Sequence, residues 1–376
     1  MADQGTGSSS GNGTGGGTVT KPAARLPVNR RLILIAIVVL LTVLPAIVMV
    51  LIAWAGTGKL QGAASWASIP AIVGIAAVLY GGRRYAIVVA IVLGFLAPVA
   101  IVAGQSPVSG AALMAILCLV VGRLSRVGLQ RSGLLVPVML SWALINPPTW
   151  NGATTVDRVE TGYLLWMAVT FFVGGLVPAL ILPILMRKRP APKLIPHSRR
   201  QAVIYTVMIT ILVTVSTFYV LSNPAMIAGA FLIAVIMVMA PIGTSQTLKP
   251  TIFRVLGTIL GSVFVILLVS QVQSLGLIYL IGLVFIVIAL FARLSGFAWV
   301  YYVFMVPATA CLNSTTLSEV GEIGRQRVID NTVGGIMVIL ASAVVIGYSH
   351  WASRHGEATD GDEEVEATSQ ALAASR

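Results

Sequence analysis

Two stretches of the chain set charged and small residues inside apolar surroundings. The first is Arg254-Val255-Leu256-Gly257-Thr258-Ile259-Leu260-Gly261, and the second is Arg325-Gln326-Arg327-Val328-Ile329-Asp330-Asn331-Thr332-Val333-Gly334-Gly335. Arg327 and Asp330 are three apart, so a helix puts them on one face. A guanidinium can hold an anion, and a carboxylate can take up and release a proton. Ionisable groups inside a membrane mark function by default. Two readings stand for this pair. One is a surface ion pair where an outer loop enters a helix. The other is an outer-vestibule pair with Asp330 as a proton carrier, held ionised by Arg327 until substrate draws the arginine away. In the first stretch Gly257 and Gly261 are four apart, a spacing that lets two helices approach closely. Thr258 beside them, and Gly334 in the second stretch, read as packing positions. Arg254 is then either a snorkelling anchor or a basic gate that draws anions to an inner mouth.

Several of these markers occur twice. Arg123-Leu124-Ser125 and Val136-Pro137 recur as Arg293-Leu294-Ser295 and Val306-Pro307, at a constant offset of 170 residues. Arg84 maps onto Arg254 at 170, and Arg158-Val159 onto Arg327-Val328 at 169. Two fused copies of a membrane unit are a common transporter architecture. Pro137 and Pro307 fall at matching places in short apolar runs. Each is either a tolerated kink or part of a broken helix that frees a carbonyl near a substrate path. The paired arginines Arg84, Arg123, Arg254 and Arg293 are the other candidates for lining that path.

The elements that must position these residues are helices in a bilayer. Apolar residues make up 57% of the 376 residues and charged residues only 10%, against about 25% charged in soluble domains. Mean hydropathy is +0.95. Twelve apolar segments are expected, at 32–54, 69–80, 85–102, 111–121, 134–144 and 163–185, then at 202–221, 225–240, 255–269, 275–290, 297–312 and 332–348. The predicted fold is therefore all-α and integral to the membrane, with about 12 transmembrane helices as two parallel six-helix repeats. Residues 1–29 read as a disordered cytoplasmic tail, 30–186 as the first repeat and 187–198 as a basic cytoplasmic linker. Residues 199–352 read as the second repeat and 353–376 as an acidic cytoplasmic tail.

Charge sets the expected orientation. With the N-terminus inside, 20 of the 24 basic residues fall on the cytoplasmic side, and only Lys59, Arg158, Arg325 and Arg327 fall outside. This is the positive-inside pattern of a plasma-membrane protein with both termini cytoplasmic. It also accounts for a net charge of +12. The arginines sit at helix ends rather than on one soluble face, which argues against a nucleic-acid partner. Trp54, Trp66, Trp142, Trp150 and Trp166 are expected at or near the outer interface.

No enzyme constellation is visible. His197, His350 and His355 lie near cytoplasmic ends and are not spaced with Cys or carboxylates as metal ligands. Cys118 and Cys311 read as packed thiols. Gly56-Thr57-Gly58-Lys59 lacks the spacing and the hydroxyl residue of a phosphate loop. No cofactor and no metal is implied.

An arginine followed by Gly-Thr-x-x-Gly in the third helix of a six-helix unit, then Arg-x-x-Asp-x-x-x-Gly opening the sixth, resembles the fusaric acid resistance / aromatic acid exporter family. Arg254, Gly257, Thr258 and Gly261 match the first motif, and Arg327, Asp330 and Gly334 the second, over roughly residues 200–350. The first copy keeps the arginines but not the glycines, since Arg84 is followed by Tyr-Ala-Ile-Val. Many family members carry a sizeable cytoplasmic domain after each bundle, and no stretch of that kind stands here. The resemblance implies export of aromatic carboxylates. Related aluminium-activated malate transporters are anion channels, so pump and channel both stay open. The expected function is a secondary exporter of small organic anions, with a proton gradient as its simplest drive. The alternatives are a passive anion channel and a non-transporting membrane scaffold. Its expected partners are the anion and membrane lipid; the oligomeric state is not legible. A cysteine placed in the C-terminal tail should resist an impermeant thiol reagent in intact cells and react once the cells are opened. Labelling of intact cells would overturn the orientation.

Overall fold

The computed structural model describes residues 28–57, 66–148, 158–186, 194, 196–223, 229–240, 248–272, 274–295, 297–313 and 317–354. Nearly all of the expected N-terminal tail and of the acidic tail, and most of the linker, lie outside these; residues 28 and 29, assigned to the tail, open the first helix. Among the described residues there are helices and connecting turns, with no strand. The helices are α1 (Val28–Thr57), α2 (Ser68–Ala103), α3 (Pro107–Arg126), α4 (Gln130–Gly133), α5 (Leu135–Ile145) and α6 (Thr161–Leu185). They continue as α7 (Arg199–Ser222), α8 (Gly229–Met239), α9 (Leu248–Gln271), α10 (Leu275–Leu294), α11 (Ala298–Asn313) and α12 (Leu317–Arg354).

α2 is not one rod. Gly82 has φ 80 and ψ 178 inside it, a conformation that suits glycine and strains other residues. The chain folds back there. Gly74 before the turn and Ala90 after it both lie against Gly175 of α6, so the two arms, 68–81 and 83–103, run antiparallel along α6. At 1.5 Å per residue the first arm is about 21 Å long and the second about 31 Å. A bilayer core is about 30 Å thick, so the first arm falls short of it.

Among the described residues six helices are long and apolar enough to cross a membrane: most of α1 and α12, the whole of α3, α6 and α7, and α2, of which the second arm alone has the length. The α4–α5 stretch, α8, α11 and parts of α9 and α10 are shorter apolar helices. The break between α4 and α5 falls at Leu134. Pro137 explains it, because proline clashes with the carbonyl four residues back, here that of Gly133. Pro137 itself sits buried in the first turn of α5 rather than at a kink within it. Pro307 lies inside α11, which continues through it.

The main core joins α2, α3, α5, α6, α7 and α8, with Val338 of α12. Across the two halves of the sequence, α3 packs on α7, α5 on α8 and α1 on α10. Gly122 of α3 meets Thr206 of α7, and Gly110 meets Leu221. The end of the linker is tied down at the same edge. The His197 backbone N–H donates to the Ser125 carbonyl at 3.4 Å. The His197 Nε2 lies 2.7 Å from the Gln130 Nε2. Burial, and then the charge of Arg131, lower the His197 pKa, so the neutral ring accepts from the glutamine amide.

α12 is an inside-out amphipathic helix. Ile329, Val333, Ile336, Leu340 and Val344 are exposed along one stripe, whereas Arg327, Asp330 and Asn331 are buried on the other side. A soluble helix has the reverse pattern, and lipid accounts for this one. Gly175→Leu should lower the thermal midpoint in detergent by an amount matching about 1–3 kcal/mol of overpacking. Gly321→Leu should leave it unchanged, because a side chain there meets nothing within 4 Å.

Candidate functional site

α9 and α12 pack antiparallel and bring both sequence motifs together. A side chain on Gly335 would meet Val255, and one on Gly324 would meet Val265. Between these, the Thr258 hydroxyl donates to the Asn331 Oδ1 at 3.5 Å. This register changes where Arg327 and Asp330 stand. They were expected where an outer loop enters a helix, but α12 begins at Leu317, ten residues before Arg327. The apolar span runs from Val320 to Tyr348, so the pair lies inside it. Arg327 is about 10 Å along the helix from Val320. The first turns of α12 carry the charges that imitate a loop. Arg325 and Glu322 form an exposed ion pair at 2.7 Å, one turn apart, which supports the helix there.

The pair is deeply enclosed. Arg327 is 6% exposed, Asp330 1% and Thr258 2%. Neither carboxylate oxygen of Asp330 accepts a hydrogen bond, and the buried Ser262 hydroxyl has no partner. The Asn331 amide donates to the Arg327 carbonyl at 2.8 Å. The Arg327 guanidinium carbon lies 3.5 Å from the centroid of the Phe231 ring, a cation–π contact worth about 2 kcal/mol when desolvated. Phe231 in turn meets Trp142 edge-on, with centroids 4.4 Å apart and planes at 82°. Four helices thus build the site: α5 with Trp142, α8 with Phe231, α9 with Thr258 and Ser262, and α12 with Arg327, Asp330 and Asn331. Burying such charges costs several kcal/mol per ion. A chain that carries them inside a span gains the capacity to hold an anion on the guanidinium and to load a proton on the carboxylate.

The other sequence candidates fall around this site. Gly257 packs against Tyr302 and the Trp299 carbonyl of α11. Gly261 packs against the Val303 carbonyl, Val306 and Pro307. The Val303 carbonyl is the one Pro307 would leave without an amide donor, so a glycine of α9 covers the gap that a proline of α11 opens. Gly334 faces Val235 and Leu232 of α8. Arg84, just after the Gly82 turn, and Arg123, in the last turn of α3, are exposed and do not join the buried cluster. Arg254 lies in the second turn of α9 and Arg293 near the end of α10; their side chains are outside the described residues.

Phe231, Trp142 and Arg158 carry more than their sequence context suggested. Trp142, expected at or near the outer interface, packs edge-on against Phe231, a contact its sequence context did not show. Arg158, which aligns with Arg327, binds helix ends. Its guanidinium donates to the carbonyls of Leu144 at 2.8 Å, Ile145 at 3.2 Å and Ile101 at 3.3 Å. It closes the C-terminus of α5 and a carbonyl near the end of α2, where a cation also complements the helix dipole. The only available signal was its repeat alignment. Among the described residues no group of three or more His, Cys, Asp or Glu could hold a metal.

Residues 228–341 match the family model described as fusaric acid resistance protein-like. The matched stretch starts one residue before α8 and ends within α12, so it contains both motifs and every second-half residue of the buried cluster. The family resemblance read from those motifs therefore stands over this part of the chain. No curated protein and no solved structure matches the chain.

Arg158→Ala should lower the thermal midpoint by the equivalent of about 2–3 kcal/mol, since charge-assisted hydrogen bonds to buried carbonyls are lost. Arg158→Lys should recover only part of it, because a lysine lacks the fork that reaches two helix ends. A midpoint unmoved by the alanine would show that Arg158 does not hold these ends.

Proposed function

We propose that the chain is a secondary transporter that exports small organic anions across the cell membrane. Aromatic carboxylates are the substrate class implied by the family resemblance. The coarse part of this reading, a membrane transport or resistance role, is supported by the family match over residues 228–341 and by the long apolar helices. The finer part is carried by one observation: a buried guanidinium and a buried, unsatisfied carboxylate stand three residues apart inside a span. Arg327 receives the anion and Asp330 carries the coupling proton. Arg254, Arg84, Arg123 and Arg293 raise the anion concentration at the cytoplasmic mouth.

The architecture we propose is two parallel six-helix units related by an axis along the membrane normal, with both termini cytoplasmic. Among the described residues, counting the arms of α2 separately and α4–α5 as one gives twelve helical segments. Short segments then fall at corresponding places in the two halves. The first arm of α2 pairs with α8, and α4–α5 with α11. Such pairs of short or proline-interrupted helices point to transporter binding sites. The reciprocal contacts of α3 with α7 and of α1 with α10 support the same axis. Pro137 and Pro307 sit in the second of these pairs and contribute to the path by shaping its short helices.

The test is labelled benzoate flux in proteoliposomes across imposed pH gradients. Wild-type protein should concentrate benzoate in response to the gradient. Asp330→Asn should lose that response while keeping downhill exchange. Arg327→Gln should lower both about tenfold or more, the scale of one lost charge-assisted contact. Flux indifferent to the gradient in the wild type would mean a channel, and no flux of any organic acid tried would mean a scaffold.

A further inference from the structure

We propose that Phe231 is a gate residue, and that its contact with Trp142 is the latch that opens before an anion reaches Arg327. This rests on the reading of Arg327 as the anion's partner. With Arg327 only 6% exposed, no organic anion reaches its guanidinium in this conformation. The ring whose centroid is 3.5 Å from the guanidinium carbon is that of Phe231. A substrate that binds there has to displace that ring. Phe231 is not free to swing, because Trp142 rests edge-on against it at 4.4 Å.

Trp142 belongs to α5 and Phe231 to α8. The latch therefore joins the first half of the chain to the second. Among the described residues each of these helices has 11 residues, about 17 Å at the helical rise. They are short bodies inside a thicker layer, well suited to tilting. α8 also has a pivot. One turn beyond Phe231, a side chain added at Gly334 of α12 would lie 2.7 Å from Val235 Cγ1. The absence of room for even a Cβ places the Gly334 backbone directly on Val235, and that packing holds this part of α8 on α12 while the Phe231 end moves. In the closed state the guanidinium keeps an aromatic partner and stays dry. In the open state the anion replaces that partner, so the guanidinium is not left bare in either state.

The experiment uses the full chain in proteoliposomes with Cys118→Ala and Cys311→Ala as background. Trp142→Cys and Phe231→Cys are then added together and bridged with a short bis-methanethiosulfonate, which forms a mixed disulfide with each thiol and releases methanesulfinate. Bridging should abolish benzoate flux, and a reductant that cleaves the bridge should restore it on the same sample, which removes misfolding as an explanation. A bridge that forms without loss of flux overturns the latch, and failure of the two cysteines to bridge overturns the contact. Should the double variant not reach the membrane, Phe231→Leu decides. Gradient-independent benzoate leak should rise several-fold, and an unchanged leak overturns the gate. Arg327→Gln, tested unbridged, keeps the two readings apart. Full flux there would remove Arg327 as the anion's partner, whatever the bridge does.

Discussion

Lipid tails give two apolar helices no hydrophobic reason to associate, so this bundle holds together where backbones come close enough for dense van der Waals contact. Small residues make that possible throughout. Gly74 lies on the Gly175 carbonyl, Gly94 on Phe172 and the Ala168 carbonyl, and Gly122 on Thr206. In the second half Gly257 and Gly261 lie on α11. Each such position leaves no room for a methyl group. The constraint also decides what the interior can hold. Once α9, α8 and α12 are drawn together at Gly335 and Gly334, the α12 residues between and beside those contacts are sealed from lipid and water alike. Arg327, Asp330 and Asn331 are among them.

That sealing gives the site its chemical character. A guanidinium in water binds a carboxylate weakly, because solvent competes for both. Enclosed against Phe231, the same group interacts through a lower dielectric, and every favourable contact is strengthened. The same enclosure penalises any buried polar atom without a partner. Asp330, with neither carboxylate oxygen hydrogen-bonded, is such a group. The two arginines do different work: Arg158 ties down helix ends, while Arg327 sits against the Phe231 ring.

Much of this was legible in the residues. The apolar segments around 69–80 and 85–102 sit on the two arms of α2, because Gly81-Gly82-Arg83-Arg84 marks a turn by composition alone. The spacing of Gly257 and Gly261 announced a packed face, and that of Arg327 and Asp330 a shared one. Depth was not legible. Glu322, Arg325, Arg327 and Asp330 lower the local hydropathy enough to read as a loop, although the helix already runs through them from Leu317. The neighbours of the site were hidden for a different reason. Phe231 and Trp142 are 89 positions apart, and no local pattern says that two aromatic rings on two short helices will meet. The fourfold spacing likewise could not say that Gly261 would cover the carbonyl opposite Pro307.

The length of α12 has one further consequence. At 38 residues it is about 57 Å long, nearly twice the thickness of a hydrocarbon core. Asp330 lies near its middle, and Arg354 stands 24 residues away at the far end, about 36 Å along the axis. A stiff rod that tilts by roughly 5° at the buried pair moves its tip by about 3 Å. A tilt of α12 about Gly334, Gly335 and their neighbours would therefore arrive enlarged at its Arg354 end.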